Sequence, residues 1–144
     1  MEIGLLGELG IGASFGLSAI GSAIGIAISG QAVIGAFKKC YAQNKPAPFV
    51  LVVFAGAVLT NVIYGYIVMD ALASSTTLSD FRLLFLGLSA GLCIGVVAIT
   101  QAKCAAAAAV AFGEVQKGFT NFLMVVGIAE TVSLFAVVFT ILFV

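Results

Sequence analysis

The residue whose position asks most of its surroundings is Glu130. It stands near the middle of an apolar run from Phe119 to Phe143. A carboxylate at the centre of a bilayer costs at least about 2.5 kcal/mol on insertion scales, so such residues are rare and usually bind or carry an ion. The plainer alternative is a protonated Glu that only hydrogen-bonds a neighbouring helix. Other polar side chains share its depth. Gln101 stands eleven residues before Phe112, and Thr60 eleven residues after Phe49. Helices of equal rise therefore bring Thr60, Asn61, Gln101, Glu130 and Thr131 to one level. Together they offer hydroxyl, amide and carboxylate oxygens, the ligands a hard cation prefers. Any one alone reads as glue between membrane helices. Three helices converging on one depth read as an ion site, with Na+ favoured over H+. Shielding a proton needs one carboxylate, and each further buried polar group is costly unless it is used.

The elements that must position these groups are membrane helices. Of 144 residues, 62% are hydrophobic and only 8% charged, and the mean hydropathy is +1.27. A soluble domain carries about 25% charged residues, so the solvent for most of this surface is lipid or further copies of the chain. Four apolar stretches of membrane-spanning length follow, at about Leu9–Phe37, Phe49–Ala73, Phe81–Phe112 and Phe119–Phe143. Polar or proline-bearing breaks separate them at Lys38–Pro48, Ser74–Asp80 and Gly113–Gly118. The fold class is an all-α membrane protein of two tandem helical hairpins, residues 1–73 and 74–144. Connections this short make successive helices antiparallel neighbours. The first and third loops hold Lys38, Lys39, Lys45 and Lys117, against Arg82 alone on the other side. Positive residues mark the cytoplasmic side, so both termini are expected on the non-cytoplasmic side. No Lys or Arg precedes residue 38, unlike the start of a cleaved signal peptide, and the first span is expected to be retained.

A repeat runs through the chain. Gly16-Leu17-Ser18-Ala19 recurs as Gly87-Leu88-Ser89-Ala90, and the same offset pairs Gly56 with Gly127 and Thr60 with Thr131. It also sets Leu59 against Glu130, which leaves one carboxylate for four helices. The first and third helices are rich in small residues, including Gly16, Gly21, Gly25, Gly87, Gly91 and Gly95. Small residues let membrane helices approach closely, so these two helices form a thin inner layer suited to a tight ring of identical copies. Ordinary packing within one chain is the alternative.

Several function classes fall away. Zero net charge offers no field for nucleic acid. No GxxxxGK[ST] stretch is present, so direct ATP binding is not expected. His is absent, and the cysteines Cys40, Cys93 and Cys104 lack metal-site spacing. No cofactor is expected beyond the carried ion.

With these residues in view, the sequence resembles the duplicated four-helix proteolipid of V-type and A/V-type rotary ATPases, the rotor-ring component known as K or c. The resemblance covers nearly the whole chain. It is carried by Ile128-Ala129-Glu130-Thr131, by Gln101-Ala102-Lys103 with the alanines that follow, and by Thr60-Asn61-Val62-Ile63-Tyr64-Gly65. It implies a ring of identical copies turning in lipid past a stator subunit with two half-channels, and a central-stalk subunit docked at the cytoplasmic loops. The catalytic subunits lie elsewhere in such a complex, so the chain is not an enzyme on its own. In sodium-binding members a backbone carbonyl one turn before the Thr also ligates, and the matching position is Ala57. Those members carry Gln where this chain has Asn61. An independent secondary transporter of two repeats is the competing class. Broken helices are expected of it, and the second and fourth spans contain no proline after Pro48.

Overall fold

No proline interrupts the four apolar runs, and each becomes a helix. The computed structural model describes residues 4–144. We label its spans α1 (Leu5–Ala42), α2 (Phe49–Ala73), α3 (Asp80–Val115) and α4 (Phe119–Leu142). All four are long and apolar enough to cross a membrane, and the chain is an integral, multi-pass membrane protein. Among the described residues there is no strand. Residues 1–3, the start of the expected first hairpin, lie outside the described residues. α2 is composite: 3-10 turns at Phe49–Leu51 and Ala57–Leu59 flank the short α-helical piece Val52–Gly56, and Thr60–Ala73 completes it.

The helix ends correct the sequence reading on the lysine-bearing side. Lys38–Ala42 and Gly113–Val115, read as loop, are the last turns of α1 and α3. Polarity ends a hydrophobic run, but nothing in Lys-Lys-Cys-Tyr-Ala ends a helix. The stop comes at Asn44, with φ 51°, and the prolines beyond it. α3 likewise stops at Gln116 in the left-handed region, and Gly118, also at positive φ, turns the chain into α4. With 38 and 36 residues, α1 and α3 are longer than the hydrocarbon is thick and project from it.

The ends of the bundle are tied as the short loops require. On the lysine-bearing side Lys39 pairs with Glu114, and Gln116 Nε2 donates to the Pro46 carbonyl at 2.7 Å. At the other end the Gly4 amide donates to Asp80 Oδ1 at 3.1 Å, and Thr77 Oγ1 to the Val144 carbonyl at 3.4 Å. The first and third loops thus share one end, and the middle loop shares the other with the C-terminus.

The tightest packing is α1 against α3. The buried residues of α1 are Gly7, Gly10, Ser14, Ser18, Gly21, Ser22, Gly25, Ser29, Val33, Ala36 and Cys40, mostly small side chains at a three-to-four-residue rhythm. Ser18 and Ser29 return their hydroxyls to carbonyls of their own helix, so burying them strands no donor. A Cβ on Gly87 would strike the Gly10 carbonyl, and one on Gly21 the backbone of Gly95. Gly91 is as constrained, 2.6 Å from the Ala13 carbonyl by the same measure. Five of the six glycines expected to seat one copy against another therefore pack α1 on α3, or α1 on both α2 and α3 at Gly25, inside one chain. Gly16 alone of the six faces open space within the chain. α2 and α4 lie outside this pair, and Ile63, Ile128, Phe135 and Phe139 stand exposed on them.

Candidate functional site

Midway along α2 the helix tightens into the 3-10 turn Ala57–Leu59. Such mid-helix turns often mark functional positions. Thr60 Oγ1 donates back to the Ala57 carbonyl at 3.0 Å, a local bond of the kind that competes with regular helix pairing. The same carbonyl receives Gln101 Nε2 from α3 at 3.4 Å. The turn thereby aims a backbone acceptor at the interior of the bundle, at the level where α3 and α4 supply polar side chains.

Glu130 on α4 is half-buried. Tyr64 donates its hydroxyl to Oε1 at 2.8 Å, and Gln101 Nε2 donates to Oε2 at 3.1 Å. Behind it the network is fully buried. Asn61 Nδ2 donates to Gln101 Oε1 at 2.7 Å, and Ser133 Oγ to Asn61 Oδ1 at 2.6 Å. Asn61, Gln101 and Ser133 each have no exposed surface. Three helices thus contribute to one connected chain of hydrogen bonds that opens at the carboxylate. Buried polar groups are tolerated when satisfied in this way. Leu59, matched to Glu130 under the repeat, is 53% exposed on the outer face. An apolar side chain suits an outward-facing position on a membrane-spanning helix.

Of the residues expected at one depth, Thr60, Asn61, Gln101 and Glu130 are brought together, with the Ala57 carbonyl. Thr131 is not. It is exposed, and its hydroxyl bonds the Ile128 carbonyl of its own helix at 2.7 Å. One residue along a helix is about 100° round it, so a shared level did not mean a shared face. Two residues given no role by the sequence complete the group. Tyr64 follows Thr60 by four and Asn61 by three, and Ser133 follows Glu130 by three. That spacing on one helical face was the available signal.

A comparison of the chain with curated proteins finds no match. Residues 84–143 match the family model of the ATP synthase C subunit. The matched segment holds Gln101, Glu130 and Ser133, the α3 and α4 part of the hydrogen-bonded group. By that match the second hairpin is similar to the ATP synthase C subunit family, and the four-helix chain that carries it fits a duplicated c-type proteolipid.

Proposed function

We propose that the chain is a rotor-ring subunit of a V-type rotary ATPase or synthase and carries one cation per copy on Glu130. The likeness of the second hairpin to the ATP synthase C subunit family supports the coarser part, an ion-translocating, non-catalytic membrane subunit that works in a ring beside a stator. The V-type reading rests on four spans with, among the described residues, a single carboxylate near mid-span. The observation that carries the site is Glu130 at mid-span, reachable from the outer face yet held by Tyr64 and Gln101. Rotation would take this group between an ion path in the stator and lipid. A bare carboxylate facing hydrocarbon is too costly, so the ion must neutralise it before it turns into lipid. The central-stalk subunit would meet the projecting ends of α1 and α3, where the lysines lie.

Our reading of the ion is a proton. A protonated Glu130 keeps every contact described: its O–H donates to the Tyr64 oxygen, which accepts as readily as it donates, and Gln101 still donates to Oε2. Only hydroxyl hydrogens move. Sodium, favoured from the sequence, is the second reading, and the Ala57 carbonyl, an oxygen within reach of Gln101, favours it. The test is ATP-driven pumping by the whole complex in vesicles made without sodium. Lumen acidification at full rate is expected, and a pump that stalls until sodium is added would rule the proton out. An independent transporter is disfavoured because α2 tightens at Ala57–Leu59 without unwinding. In mild detergent a large closed ring is expected; a monomer or dimer would favour the transporter.

The excess of lysines at the end of the bundle with the first and third loops argues for both termini on the non-cytoplasmic side. In intact cells, a membrane-impermeant maleimide should label Thr76→Cys in the exposed middle loop and spare Lys45→Cys. The reverse pattern would invert the topology.

A further inference from the structure

A glutamine side chain has an acceptor end and a donor end, and the end that Gln101 turns to Glu130 decides what the site can hold. Its direction is fixed from both sides. The Val58 carbonyl can only accept, and it lies 3.3 Å from Asn61 Nδ2. This sets the Asn61 nitrogen on that side and turns its oxygen to Ser133. The same nitrogen then takes the Gln101 oxygen at 2.7 Å. At the far end Gln101 Nε2 meets the Ala57 carbonyl and Glu130 Oε2, both of which accept. Reversing Gln101 would set two amide nitrogens against each other, and its one side-chain oxygen against both the Ala57 carbonyl and Glu130 Oε2.

We propose that Asn61 and Ser133 are positioning residues that set ion selectivity: they hold the Gln101 oxygen away from Glu130, which leaves a site for a proton and closes it to sodium. This rests on Glu130 being the carrier. A dehydrated sodium ion needs oxygens around it, and the only side-chain oxygen α3 brings to the carboxylate is that of Gln101. To offer it, Gln101 must turn over and leave one of the two N–H groups of the fully buried Asn61 amide unpaired, since the other stays on the Val58 carbonyl. Asn61 is thus not a ligand but the group that withholds one.

The test uses intact rings, with the rate of carbodiimide modification of Glu130 followed against sodium concentration at fixed pH. Carbodiimide attacks the protonated carboxyl, so bound sodium slows it. The wild-type rate should be indifferent to sodium. Asn61→Leu removes the donor and frees Gln101 to turn, and saturating sodium should then slow labelling by roughly tenfold. Ser133→Ala, which removes only the partner of the Asn61 oxygen, should give a smaller slowing in the same sense. Simple loosening of the site would change the rate equally with and without sodium, so the ratio isolates the lock. Indifference to sodium in both variants overturns the lock and leaves the proton reading standing. Sodium protection of the wild type overturns both. Label found away from Glu130 overturns the carrier assignment itself. If Asn61→Leu yields no intact ring, Ser133→Ala alone decides.

Discussion

Glu130→Gln is expected to abolish ion transport while the ring assembles at its normal size. The amide keeps the shape of the carboxyl and fits the hydrogen bonds around it. Its oxygen accepts from Gln101 Nε2, and its nitrogen donates to the Tyr64 oxygen, reversing a bond that a hydroxyl can make in either sense. It is in effect a permanently neutral Glu130, which can enter lipid but never load or release. Among the described residues no other carboxylate lies near the middle of a span: Glu8, Asp70, Asp80 and Glu114 stand toward helix ends. A potential of 100 mV does about 2.3 kcal/mol of work on each charge that crosses, and a ring with no titrating group couples to none of it. The measurement is ATP-driven uptake by reconstituted complexes, with native mass spectrometry of the ring as the control. Pumping at a normal rate through an intact mutant ring would remove Glu130 from the mechanism. Tyr64→Phe, which takes one hydrogen bond and leaves the carboxyl, should slow transport without stopping it.

What could be read in advance depended on whether one dimension sufficed. Hydropathy along the chain gave the four spans, because lipid leaves helices as the only solution for an open chain. Counting residues from helix ends gave the depth at which Thr60, Asn61, Gln101 and Glu130 meet. Depth alone failed for Thr131, which shares the level and faces away. It also missed Tyr64 and Ser133, whose Cα atoms lie about one turn off that level and whose side chains reach back to it. The direction of the Gln101 amide was beyond reach, since it depends on two carbonyls of α2, and one of these is redirected by a 3-10 turn that no proline announces. Charge misplaced the ends of α1 and α3 because polar residues that continue a helix look the same as polar residues that leave one.

The glycines are where the sequence left two partners open, within the chain or between copies, and a paired substitution separates them. Gly91→Leu is expected to prevent the chain from reaching a stable four-helix state. Its Cβ alone would stand 2.6 Å from the Ala13 carbonyl and 2.9 Å from the Ser14 Cα. Those are backbone atoms, so no rotamer relieves the clash and α1 must move away from α3. Overpacking a core costs about 1–3 kcal/mol where side chains can shift, and more where they cannot. Without hydrophobic drive between helices in lipid, close contact is much of what holds this pair. Gly16→Leu is the contrast, because a Cβ there meets nothing within 4 Å in the chain. It should leave each chain folded, and, if that open face of α1 is where a second copy seats, it should cost the ring. Detergent-solubilised chains would be compared by thermal loss of helicity, and assemblies by native mass spectrometry. The expected pattern is a sharply destabilised chain for Gly91→Leu, and a stable chain with impaired assembly for Gly16→Leu. Unchanged melting for Gly91→Leu would mean that α1 and α3 are not held in the contact described. An intact ring of unchanged size for Gly16→Leu would place the seam between copies on another face.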